Sequence, residues 1–194
     1  MTQTTALLAM LALLLTPGPT NTLLGLAAAQ DGPMRAARLL AVEVSAYMVA
    51  ILCLSALGAG LFAAFPEAGG ALKLAAALWL LLLATRLWSG AGTPASARPI
   101  TPRQLALTTL LNPKALVISF ALLPRPGEPG FPAALAGAAL CIGAAGSAWI
   151  ICGAMAGLGG PGKHGILRRL ASGWLALVAT GLLASLAPAA AAVT

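Results

Sequence analysis

The sequence predicts an all-α integral membrane protein: six spanning helices forming an inverted repeat of two three-helix halves, with both termini outside. Three observations carry that expectation. Of 194 residues, 60% are hydrophobic and only 8% are charged. A soluble domain carries about 25% charged residues, so this chain has too little polar surface to face water. The apolar runs are long and lack the strict alternation of barrel strands, and in lipid only helices and closed barrels satisfy their own backbone. Finally, a short motif recurs in the two halves, as Leu14-Leu15-Thr16-Pro17 and as Leu110-Leu111-Asn112-Pro113.

A span needs about 20 apolar residues to cross a hydrocarbon core about 30 Å thick. Six windows qualify: 5–26, 38–62, 71–88, 105–123, 132–158 and 170–186. A single domain, 1–194, is thus divided into a first half at 5–88 and a second at 105–186. The opening segment lacks a basic flank and a small-x-small cleavage site before its prolines, so it reads as half of a span and not as a signal peptide. Turn-forming residues separate the windows at 30–35, 65–70, 124–130 and 159–165. The longest polar stretch, 89–99, is the expected hinge between the halves.

Charge orients the spans. Arg35, Arg38, Arg86, Arg98, Arg103, Lys163, Arg168 and Arg169 flank the odd connectors. The even ones hold only Lys73 and Arg125, beside Glu67 and Glu128. Basic residues favour the cytoplasm, which places both termini outside. The net charge of +7 is therefore read as membrane flanking. No Lys/Arg run is long enough to track a phosphate backbone, and no nucleic-acid partner is expected. The single histidine, His164, falls in a connector, and Cys53, Cys141 and Cys152 lie in apolar runs without zinc-like spacing. No metal site and no cofactor are expected.

A proline inside a helix removes a donor and clashes with the carbonyl four residues back. At membrane depth each freed carbonyl costs several kcal/mol unless it is satisfied. Thr16, Thr20, Asn21 and Thr22 can supply local hydrogen bonds at the first break. Broken helices at matching places in two halves are the best sequence pointer to a transporter's binding site. Pro17, Gly18, Pro19 and Asn21 at one break, with Asn112, Pro113 and Lys114 at the other, are therefore candidate pathway residues.

Two charges lie inside spans. Glu43 is about 7 Å deeper than Arg38, and Lys114 about 16 Å deeper than Arg103, at 1.5 Å per residue. Intramembrane charges usually face a cavity or a partner. A Glu43–Lys114 pair is one arrangement, and snorkelling of Glu43 to the headgroups is the other. Tyr47, the only tyrosine, shares a helix face with Glu43. Its hydroxyl would orient a polar ligand or anchor to a carbonyl. A carboxylate at this depth can take up and release a proton, which is what proton coupling requires. The small-xxx-small match Gly153 to Gly157 marks either close packing within one subunit or a homodimer face. Trp79, Trp88, Trp149 and Trp174 read as interface or packing residues.

The stretches "TPGPTNTLL" at 16–24, Gly32 followed by Arg35 and Arg38, and "LLNPKALVISFALLP" at 110–124 resemble the LysE/RhtB family. These are the lysine exporters and threonine/homoserine efflux translocators of bacterial inner membranes. The resemblance covers nearly the whole chain. It implies a multi-pass exporter of amino acids or small derivatives, coupled to protons, with Pro17, Gly18, Pro19, Asn112, Pro113 and Lys114 as motif positions. The chain departs from the family in its second span, where Ala36, Val42 and Ala46 stand near places usually held by glycine, and where Glu43 lies one turn before Tyr47. Three other readings compete: a membrane enzyme, a non-transporting membrane subunit, and a metal-ion exporter. The sequence offers the enzyme no nucleophile–base set and the metal exporter few ligands. No phosphate-binding loop points to ATP as the power source.

Overall fold

The computed structural model describes residues 3–65, 67–89, 99–157 and 162–184, and these form helices and short connections with no strand among them. Helix α1 covers Gln3–Leu15 and α2 covers Pro19–Asp31; together they are bent by 58°. Helix α3 (Pro33–Cys53) runs through a π-helical turn, Leu54–Gly58, into α4 (Ala59–Ala64). Helix α5 covers Ala68–Ser89. Helix α6 (Pro102–Leu110) meets α7 (Pro113–Val117) at a second bend, of 42°, and α7 ends in another π-helical turn, Ile118–Leu122. Helices α8 (Phe131–Gly157) and α9 (Gly162–Ala184) complete the chain. Four of these segments are long and apolar enough to cross a membrane, and six are if each bent pair counts as one span. The architecture is consistent with a multi-pass membrane protein. The expected hinge at 89–99 falls almost wholly outside the described residues.

Local chemistry sets the boundaries. Gly32, at φ +89°, turns the chain in a region that suits glycine, and Pro33 then starts α3 with its φ already helical. Thr101 and Gln104 form a reciprocal capping box in front of α6, again with proline at the helix start. Three boundaries depart clearly from expectation: the first span runs on to Asp31, the second starts at Pro33, and the last starts early. The last helix begins at Gly162 and not near 170, so Arg168 and Arg169 ride on α9 instead of preceding it.

Those two arginines also report which ends lie together. Arg168 is buried and donates to Gln30 Oε1 at the end of α2 (2.9 Å), and Arg169 stacks over Trp88 at the end of α5 (5.8 Å). The ends of α2 and α5 and the first turns of α9 therefore meet at one end of the bundle. At the other end the Phe62 ring of α4 packs on Phe120 of the second π-helical turn, with centroids 5.8 Å apart. Gln3 shares a cavity of about 400 Å³ with Pro124 and Glu128 there. Gly58 allows the Phe62–Phe120 approach, because a Cβ at that position would strike the Phe120 ring, 2.6 Å from its tip.

Helix α8 lies across both α1 and α2, α3 packs on α6, and α5 packs on α9. The α2–α8 crossing is close enough for backbones to touch: a Cβ on Gly153 would sit 2.6 Å from Gly25 Cα, and one on Gly157 would sit 2.9 Å from Ala29 Cα. The Gly153–Gly157 motif thus packs within the chain, which accounts for its small residues without a second subunit. Two apolar clusters fill the interior, one containing Leu24, Leu39 and Leu175 and the other Met10, Ile51 and Ile142. Along α3, Glu43 falls between Leu39 of the first cluster and Tyr47 of the second. A polar layer therefore separates the two clusters.

Candidate functional site

Both bends start new helices instead of kinking old ones. Pro19 is the first residue of α2 behind an extended Gly18 (φ −157°), and Pro113 is the first residue of α7 behind Asn112. A proline at that position gives up an N–H that would have had no helical partner anyway. At each proline motif one helix ends and another begins, so the cost of a proline inside a helix is not incurred. Asn112 caps α7 in addition, its Oδ1 accepting from Lys114 N–H at 3.1 Å.

The last carbonyls of α1 then need donors, and each finds one. Leu13 O accepts from Thr16 Oγ1 at 2.6 Å. Leu14 O accepts from Asn21 Nδ2 at 2.7 Å and from Lys114 Nζ at 3.4 Å. Leu15 O accepts from Trp149 Nε1 at 3.3 Å. Thr16 O accepts from Lys114 Nζ at 2.7 Å and from Asn21 Nδ2 at 3.0 Å. Asn21 is thus a local donor, as the sequence suggested, and Thr22 is another, bonded to Gly18 O at 2.8 Å. Lys114 and Trp149 come from α7 and α8, roughly 100 residues or more away along the chain. Gly18 makes room for the lysine: a Cβ there would lie 2.9 Å from Lys114 Nζ. A helix C-terminus carries partial negative charge, so an ammonium is a favourable cap.

The second part of the site lies deeper. Glu43 is only 1% exposed, so its carboxylate turns inward and does not snorkel. Its Oε2 is sealed from solvent and has no hydrogen-bond partner. A Cβ on Gly146 of α8 would lie 2.9 Å from that oxygen, so the glycine is what lets the carboxylate fit. Thr20 is within hydrogen-bonding reach of both Glu43 and Tyr47. Asn112 Nδ2 donates to Tyr47 Oη at 2.7 Å and to Thr20 Oγ1 at 3.4 Å. Glu43 and Lys114, for which the sequence left pairing open, form no ion pair among the described residues. Lys114 spends its ammonium on backbone carbonyls.

Of the sequence-derived candidates, Gly18, Pro19, Asn21, Glu43, Tyr47, Asn112, Pro113 and Lys114 therefore gather around the facing breaks. Pro17 lies at the first break and faces away, lining an apolar cavity of about 300 Å³ between α2, α8 and α9. Asn112 and Pro113 line a second cavity, of about 210 Å³, on the α5 side. Thr20 and Trp149 were missed. Thr20 reads as a local hydrogen-bond donor but joins the Glu43–Tyr47–Asn112 cluster, and Trp149 reads as an interface or packing residue but caps Leu15 O. Only the α1–α8 contact gives Trp149 its task, so no local signal marks it. Comparison with protein families, with characterised proteins and with solved structures finds nothing that matches this chain.

Proposed function

We propose that this chain is a secondary-active exporter of amino acids or small amino-acid derivatives, coupled to protons and resident in the bacterial inner membrane, as its resemblance to the LysE/RhtB family implies. One observation carries the reading. Two helix breaks from opposite halves of the chain meet at depth, and Lys114 from one donates into the carbonyls of the other beside the buried carboxylate of Glu43. Ionisable groups at this depth are expensive to insert, and their default role is in a substrate or ion path. Facing half-helix ends offer dipoles of both signs to a zwitterion.

The proposal includes an inverted repeat. Exchanging the first, second and third spans with the fourth, fifth and sixth preserves the strongest contacts, although the packing of α2 on α3 has no counterpart between the fourth and fifth spans. The first span's contact with the fifth becomes the fourth's contact with the second, and the third–sixth contact maps onto itself. The proposal also places the end bearing Arg35, Arg86, Arg168 and Arg169 in the cytoplasm, by the distribution of basic residues. Among the described residues Glu43 is closed off from the surface, as expected of a closed state in an alternating-access cycle.

Counterflow in proteoliposomes tests the function directly. Labelled amino acids, each with and without a pH gradient, should include at least one that accumulates saturably and faster with the gradient imposed. Absence of saturable uptake for every amino acid and derivative would favour a non-transporting subunit.

A further inference from the structure

We propose that the carbonyls of Leu14 and Thr16 form a primary-ammonium site in which Lys114 is a built-in occupant, displaced by the amino group of the transported solute and received by Glu43. The proposal deepens the exporter reading and rests on it for the identity of the ligand. Its chemistry comes from the site.

The two carbonyls accept from Lys114 Nζ at 2.7 and 3.4 Å. Each also accepts from Asn21 Nδ2, at 3.0 and 2.7 Å. A carbonyl oxygen has two lone pairs. When Lys114 leaves, Asn21 therefore keeps both oxygens bonded, and one acceptor position on each falls free. Two acceptor positions at the negative end of a helix suit a group with several N–H donors and a positive charge. Thr16 is exposed and Lys114 only half-buried, whereas Glu43 is closed off, so the ammonium station is the outer of the two.

A displaced lysine needs an acceptor within the protein, since an unpaired charge at this depth is costly. Glu43 Oε2 is buried and unpartnered, and Asn112, two residues before Lys114, bonds to Thr20, which is within reach of Glu43. The lysine thus has two stations, and the solute's amino group selects between them. A carboxylate left unpaired in one arrangement and paired in the other couples occupancy of the outer site to the charge of the inner one.

The test uses the full chain purified in detergent, with ethylammonium as the probe and tetramethylammonium, which has no N–H, as its control at equal ionic strength. Lys114→Met keeps most of the lysine stem and removes the competing ammonium. Ethylammonium should raise the Tm of K114M saturably. Its half-effect concentration should be at least about tenfold below that of the wild type, because a tethered competitor acts at high effective concentration. Tetramethylammonium should have no such effect on either protein. Glu43→Gln, with Lys114 intact, should weaken the wild-type response, since the displaced lysine loses its acceptor. If K114M does not fold, the comparison of wild type with E43Q decides. Equal responses to the two cations, equal half-effect concentrations in K114M and wild type, or an E43Q titration identical to wild type would each overturn the site. A chain that transports amino acids but fails these titrations refutes the ammonium site alone. One that passes them and transports nothing refutes the exporter reading alone.

Discussion

Gly153→Ala adds one methyl group where α8 crosses α2. The new Cβ would overlap the carbonyl oxygen of Gly25 and lie 2.6 Å from its Cα. Ordinary carbon–carbon contact is about 3.5–4.0 Å, so the two helices must part by about 1 Å. Backbone atoms cannot swing aside as a side-chain tip can. The overpacking cost therefore falls near the top of the usual 1–3 kcal/mol range, at about 3 kcal/mol. Replacing a helical glycine by alanine returns about 1 kcal/mol of helix propensity. The net loss is about 2 kcal/mol. Gly143 lies on the same helix with nothing within 4 Å of its virtual Cβ, so Gly143→Ala should be neutral or slightly stabilising. Unfolding both variants in mixed micelles of increasing SDS fraction measures the difference, which should approach about 3 kcal/mol. If G153A and G143A unfold together, the close α2–α8 crossing is wrong, and with it the position of Trp149 against the first break. If G153A instead keeps wild-type stability but loses a dimer, the motif is a subunit interface.

Four further outcomes follow from the same contacts. Asn112→Ala removes the cap on Lys114 N–H and the donor to Tyr47 Oη; the cap alone is worth about 1 kcal/mol, so SDS unfolding should register a loss of about 1–2 kcal/mol, larger than that of Tyr47→Phe. Trp149→Phe leaves Leu15 O without its donor, which should cost about 1–3 kcal/mol and make α1 amides near the break exchange faster with deuterium. Glu43→Gln preserves shape and removes the charge, so counterflow should persist while its acceleration by a pH gradient disappears; unaltered gradient dependence would remove Glu43 from coupling. Single cysteines placed at Met34 and at Glu128, in a background lacking Cys53, Cys141 and Cys152, should react differently with an impermeant maleimide added to whole cells. Glu128→Cys should label and Met34→Cys should not, and the reverse pattern would invert the orientation.

How much of this was legible depended on whether the signal was local. The spans could be read because hydropathy over about 20 residues is a property of the window itself. The breaks could be read because proline's missing N–H constrains its own neighbourhood whatever surrounds it. The two π-helical turns were not legible: the sequences LSALG and ISFAL have nothing to distinguish them from ordinary apolar helix. The early start of α9 was hidden because its arginines look like connector residues until Gln30 and Trp88 are seen beside them. At the site, Glu43, Tyr47, Asn112 and Lys114 stood out as polar groups in an apolar setting. Their pairing did not, because an ammonium can be satisfied by a carboxylate or by carbonyls, and only the fold chooses.

That choice bears on how the halves can move. The end of α1 is held by donors from three elements: Asn21 on α2, Lys114 on α7 and Trp149 on α8. Sliding any one of these elements away strips donors from carbonyls that water does not replace in lipid, at several kcal/mol for each group left bare. Intermediate positions are therefore penalised, and the molecule is expected to favour discrete arrangements in which every carbonyl has a donor. Lys114 is the donor most easily spared, because Asn21 backs it at both of its acceptors. Trp149 has no such backup at Leu15 O. A movement that draws α7 away from α1 should thus release the lysine and keep α8 attached to α1. If the exporter reading holds, α1 and α8 move as one body, and a crosslink between them should leave transport intact, whereas a crosslink between α1 and α7 should abolish it.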